Sequence, residues 1–360
     1  MIKLFLILLI FSTNVLSFTV KIKDTDLHVN GYVGYKYIHS NQKIDSINSE
    51  PELGLILSTE FNDNWSMYTQ MKYDENIDHA LVYSFVSYNR LLAEDLTFVA
   101  KVGRLRHETA LYNDTRVNPR TRQGVIMPQG IYWDSLKYIL TSGNGVNFNL
   151  TWKNLELTYT IDDPIVDDPI TEAKQWYGPF MKKLDMVFGS HQLVTAKYTF
   201  DSIPLMFKTT YTKIDFGNQY TNVADFLYPT TKNRAKTTEL VYGGFELNLT
   251  PFTISAESIM FKPFFAEWGD ASNWSFGQSY TLKYELNGHI NLYSNYNNYK
   301  GRMESHDVSI GVNYHRNKWM MSAEIHHING GRWVDVESYN QNQDAYKEWY
   351  MIGVNAVYFF

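Results

Sequence analysis

An apolar/polar alternation with a period of two runs through most of the chain, and it constrains the fold more than any single motif. In NWSMYTQMKYD, residues 64–74, Trp65, Met67, Thr69, Met71 and Tyr73 share one face, while Ser66, Tyr68, Gln70, Lys72 and Asp74 share the other. Successive side chains of a strand point to opposite faces, so this is a strand with one apolar and one wet surface. The pattern recurs in 190–200 and 306–315, and the whole chain reads as sixteen predicted strands: 27–38, 52–60, 64–74, 79–89, 95–104, 145–152, 155–161, 190–200, 204–215, 237–249, 251–262, 275–286, 289–300, 304–315, 318–329 and 347–360. Short links (61–63, 153–154, 201–203, 287–288, 316–317) alternate with longer ones (39–51, 105–144, 162–189, 216–236, 263–274, 330–346), although 75–78 and 301–303 on the longer side are brief. An even number of strands with tight turns at one end and long loops at the other predicts an all-β fold, a closed transmembrane antiparallel barrel. Closure pairs every backbone group within hydrocarbon and removes the sheet edges.

Composition agrees and excludes other classes. The 27 Tyr, 21 Phe and 9 Trp suit strands rather than a soluble helical bundle. A formal charge of −6 argues against nucleic acid as a partner. With no Cys there is neither a disulfide, a thiolate nucleophile nor a cysteine-ligated metal. Residues 1–17 carry Lys3, an apolar run from Leu4 to Phe11 and a small-residue end at Ser17, the pattern of a cleaved secretory signal peptide that leaves 18–360 as the barrel. No G-x-S-x-G or H-E-x-x-H motif occurs, and the adjacent His326 and His327 point to opposite faces of a strand, so neither enzyme activity nor a cofactor or metal is expected. The acidic DDPIVDDP, 162–169, lacks the spacing of a calcium loop and reads as a solvated turn.

The last strand, WYMIGVNAVYFF, places Tyr350, Ile352, Val354, Ala356, Tyr358 and Phe360 on one face. This resembles the sorting signal of Gram-negative outer-membrane proteins. The resemblance implies recognition by the barrel-assembly machinery and a place in outer-membrane lipids, and an apolar face with aromatic ends suits that setting on physical grounds as well.

The longest connection, 105–144, follows the fifth strand and contains GR-x-R (103–106), YND (112–114) and PR-x-R (119–122). In layout the chain here resembles the Gram-negative general diffusion porin family. That resemblance implies an inward-folded third loop forming a constriction, a homotrimer, and passive diffusion of small hydrophilic solutes and ions. In such porins an acidic cluster on the loop faces an arginine ladder on the wall, whereas this loop is itself arginine-rich. The candidate constriction residues are Arg104, Arg106, Glu108, Asp114, Arg116, Arg120, Arg122 and Asp134. Two readings stand: the guanidinium groups form an anion-attracting ring, or they pair with the loop carboxylates and fasten it to the wall. Alternation puts Lys72 and Lys101 on the lumen wall, with Lys36, Lys197 and Lys208 likewise, and Glu156, Glu246, Glu257 and Glu324 elsewhere around it. A channel specific for an oligosaccharide or anion, with Tyr132, Trp133 and Tyr138 as stacking surfaces, is the alternative function, followed by an adhesin or an enzyme.

Overall fold

The computed structural model describes residues 18–22, 25–41, 48–73, 81–113, 119–122, 124–128, 131, 142–164, 188–216, 237–261, 274–300, 304–330 and 347–360. Residues 1–17, the predicted signal peptide, lie outside them. A short strand, β1 (Phe18–Ile22), precedes β2 (Thr25–Ser40), β3 (Asn48–Glu60), β4 (Trp65–Tyr73), β5 (Leu81–Ala93) and β6 (Leu96–Arg106). After the longest connection come β7 (Ser142–Trp152), β8 (Leu155–Pro164), β9 (Phe188–Thr199), β10 (Leu205–Phe216), β11 (Thr237–Leu249) and β12 (Phe252–Phe261). The chain finishes with β13 (Ser275–Asn287), β14 (Ile290–Lys300), β15 (Ser305–Arg316), β16 (Trp319–Gly330) and β17 (Trp349–Phe359). Each strand from β2 to β17 pairs antiparallel with its sequence neighbours, and β17 pairs with β2, giving a closed barrel of 16 strands. No helix among the described residues is long and apolar enough to cross a membrane. Any crossing here is made by strands.

The predicted strands all form, with ends that shift by a few residues. Two differences matter. The strand β1 was not anticipated: it pairs with Thr25–Val29 of β2, while β17 takes Tyr32–Ser40 on the same edge. At the junction Gly31 and Phe360 exchange backbone hydrogen bonds, with N to O distances of 3.0 and 2.9 Å, and the Phe360 ring occupies the space a side chain on Gly31 would need. The last residue therefore completes closure. Second, β8 runs to Pro164, which takes Asp162 out of the predicted solvated turn and buries it in the wall.

The two faces separate as the alternation requires. In β17, Tyr350, Ile352 and Val354 point outward and are 52%, 45% and 42% exposed, whereas Trp349, Met351 and Val357 are buried in the interior. Elsewhere the outer face is apolar, with Val102, Leu282, Val308, Ile310 and Ile325 among its exposed residues. Trp65, Trp152, Phe207, Phe252 and Trp319 ring the short-turn end, and Tyr73, Phe276 and Tyr350 stand near the long-loop end. Such a belt, flanked by aromatic girdles, suits hydrocarbon rather than water. The inner face is polar: Asn147–Thr160, Asn149–Thr158 and Thr195–Thr210 hydrogen-bond across strands at 2.7, 2.9 and 3.0 Å.

Ile310, near the middle of β15 and 59% exposed, tests the outer face. In lipid vesicles Ile310→Arg should lower unfolding stability by about 2–4 kcal/mol, the cost of a cation at the bilayer midplane. An unchanged urea midpoint would mean that this face does not meet hydrocarbon.

Candidate functional site: a loop fastened inside the barrel

The connection between β6 and β7 turns into the lumen and crosses it. It reaches the far wall at two points: Ala110 near its start and Ile131 farther on pack in one buried cluster with Leu240, Tyr242, Ile259 and Tyr299, on β11, β12 and β14. Between those points it reaches the seam, where Val125 and Ile126 pack with Ile328, Trp349 and Met351 of β16 and β17. Between Ala110 and Val125, Pro119–Thr121 forms one 3-10 turn. The described residues of 105–144 thus fold inward, as anticipated for the third loop.

Polar anchors accompany the apolar ones, and wall carboxylates supply most of them. Glu257 on β12 accepts the Leu111 backbone N–H at 3.1 Å and the Tyr242 hydroxyl at 2.9 Å. Glu246 on β11 accepts the Tyr112 hydroxyl at 2.5 Å. Glu324 on β16 accepts the Ile126 N–H at 2.7 Å through Oε1 and the Tyr293 hydroxyl at 2.6 Å through Oε2. His326, held at 2.9 Å from Asp307, lies 3.1 Å from Glu324 on its other side. Just past the seam, Glu52 of β3 receives Arg122 from the loop at 3.1 Å and Lys72 from β4 at 3.4 Å, all three side chains being almost fully buried. A carboxylate can be kept in such a place because charged hydrogen bonds replace its water.

The loop's own titratable groups respond to this setting. Burial raises the Tyr112 hydroxyl, and the carboxylates of Glu246 and Glu257 raise it further, so it remains a proton donor well above the ordinary tyrosine range. Burial also pushes Glu108 upward, but the ammonium groups of Lys101 and Lys208 outweigh it and hold the carboxyl below its usual value. Glu108 is accordingly an ion-pair partner of Lys101, at 3.2 Å.

The sequence-derived residues sort as follows. Arg104 and Arg106 end β6; Arg106 donates to the Asn113 carbonyl at 3.0 Å and sits 5.6 Å from the centre of the Tyr83 ring. Glu108 pairs with Lys101, and Arg122 with Glu52. Arg120 is exposed, its guanidinium 4.1 Å from the centre of the Phe359 ring. Asp114, Arg116 and Asp134, like Tyr132, Trp133 and Tyr138, lie outside the described residues. Lys72 and Lys101 stand on the lumen side. His326 points inward and His327 outward against Tyr350, as their adjacency requires. Sequence reasoning placed Glu246, Glu257 and Glu324 on the inner wall but did not foresee that they hold the loop; Glu52, Tyr242 and Tyr293 were missed. Their signal was inward parity, which marks a residue's face and not its partner.

No family model and no curated protein matches the chain. Solved structures do. OmpT, an outer-membrane protein of Vibrio cholerae, aligns over 95% of this chain and 100% of its own at 11% identity and a TM-score of 0.61. Salmonella typhi OmpF, in complex with daunomycin, aligns over the same shares at 12% identity and 0.63. An anion-selective porin from Comamonas acidovorans covers 94% of this chain and 100% of its own at 12% identity and 0.59.

Glu324→Ala tests the fastening. It leaves the Tyr293 hydroxyl and the Ile126 N–H without their acceptor, at about 1–3 kcal/mol for each buried donor, and should lower the unfolding midpoint accordingly. Glu324→Gln, which retains an acceptor oxygen, should lose less; equal midpoints for wild type and both variants would contradict the anchoring role. Barrel closure, the sixteen-strand order and a loop folded into the lumen give the chain the fold of the outer-membrane porins.

Proposed function

We propose that the protein is an outer-membrane channel of a Gram-negative bacterium that lets small hydrophilic solutes and ions diffuse passively, with the loop between β6 and β7 as its filter. One observation carries this reading: a barrel wide enough for an aqueous interior keeps a polar inner wall and holds the described parts of a long loop against that wall from within. Such a passage needs no bond chemistry. Polar wall groups replace part of a solute's hydration, and the narrowest zone sorts by size and by sign. A trimer, read by the barrel-assembly machinery through the outward face of β17, completes the proposal.

The charges suggest how sorting works. The lumen-side lysines Lys36, Lys72, Lys101, Lys197 and Lys208 stand on β2 to β10, while Glu246, Glu257 and Glu324 stand on β11 to β16. On the first strands Lys72, Lys101 and Lys197 are paired with Glu52, Glu108 and Glu156, and on the later ones the loop engages the carboxylates, so the exposed Arg120 of the loop weighs most in the local potential. Anions are thereby favoured over cations.

Planar bilayers test this directly. The folded mature chain should give stepwise conductance and, under a salt gradient, a reversal potential of anion sign. Arg120→Gln should reduce that preference more than Arg122→Gln, because Glu52 already neutralises the buried Arg122. A folded barrel without conductance would discard the channel, and equal effects of the two variants would discard the filter.

A further inference from the structure

Three residues that the channel reading does not use meet in the wall where β6, β8 and β9 approach the long loops. His107, the first residue after β6, brings Nε2 to 2.7 Å from Oδ2 of Asp162 on β8. His191 on β9 brings Nδ1 to 3.0 Å from the other oxygen, Oδ1. The two rings are 4.2 Å apart at 61°, both imidazoles are 0% exposed and Asp162 is 3% exposed. One ligand atom from each residue lies within 4.8 Å of the others.

We propose that His107, Asp162 and His191 bind one divalent transition-metal ion of the zinc class, which clasps the root of the lumen loop to the wall. Charge balance is the first reason. Asp162 is a buried carboxylate whose ion-pair partners, among the described residues, are these two imidazoles and no lysine or arginine. A buried carboxylate requires a cation, and an ion ligated by all three groups supplies one with both imidazoles neutral. Donor chemistry is the second: two imidazole nitrogens and a carboxylate oxygen are a borderline set that suits zinc, and three protein ligands leave a position open. Third, the remaining ring nitrogens, His107 Nδ1 and His191 Nε2, are buried without partners among the described residues. In this geometry the Asp162 carboxylate accepts from Nε2–H of His107 and Nδ1–H of His191; an ion would take those two lone pairs while the protons move to the opposite ring nitrogens, where no competing donor opposes them. Space is reserved too: a side chain on Gly143 of β7 would run into the Asp162 carboxylate. The consequence is mechanical, because the same His107 carbonyl accepts the Asn113 amide at 2.9 Å and so ties the clasp to the first turn of the loop.

The mature chain, refolded metal-free in detergent, should take up one equivalent of cobalt(II) with visible ligand-field bands, and zinc(II) should displace it. Asp162→Asn and His191→Gln, checked for folding by their heat-dependent gel shift, should each weaken binding about 100-fold, at or beyond the upper end of the ~10–100-fold typical of residues that merely support a ligand. If a variant does not fold, X-ray absorption of the zinc-loaded wild type must show two imidazole nitrogens and an oxygen at about 2.0–2.2 Å. Absence of stoichiometric binding, undiminished binding by a folded variant, or a different ligand shell would overturn the proposal and leave a hydrogen-bonded His-Asp-His cluster.

Discussion

Buried carboxylates on the inner wall are what the rest of the lumen depends on. Glu52, Glu257 and Glu324 are at most 4% exposed, and a carboxylate removed from water is costly unless donors replace much of its hydration. The loop between β6 and β7 provides those donors, through the Leu111 and Ile126 N–H groups and the Arg122 guanidinium. Loop and wall thus satisfy one another. Apolar packing at two places, against Tyr242 and Ile259 on one side and Trp349 and Met351 on the other, supplies the non-directional part of the attachment.

This arrangement changes what the arginines of the loop do. In the sequence they suggested either a charged ring or a set of fasteners. Arg122 fastens, but to a wall glutamate rather than to a carboxylate of its own loop, and Lys72 shares that glutamate. Arg120 instead lies exposed over Phe359, next to the residue that closes the barrel. A selectivity argument built on counting loop arginines would therefore overstate the field, since a paired and buried guanidinium contributes little potential to a passing ion.

The barrel was legible because its signal is local and repeated. Period-two alternation fixes the face of each residue, and the lengths of the links fix the order of the strands, so neither needs a distant contact to be known. The closing details were not. β1 is only five residues long, and its place depends on how far β17 reaches along β2. The loop anchors were hidden for a related reason: Ile126 and Glu324 are 198 residues apart, and alternation says only that Glu324 faces inward. The pair Asp162 and His191 was obscured by a strand end placed three residues early, which left an acidic run looking solvated when its first member is buried.

Because the chain has no cysteine, a loop held inside the barrel against the seam can be trapped there by an engineered disulfide. A Cβ on Gly353 of β17 would lie 3.2 Å from that of Val125, within a few tenths of an ångström of the separation, about 3.5–4.5 Å, that a disulfide spans. In the double variant Val125→Cys, Gly353→Cys, mild oxidation of the folded barrel should form one intramolecular disulfide, detected by mass spectrometry as a peptide joining the loop to the last strand. Two free thiols on a folded barrel after oxidation would show that the loop does not lie there.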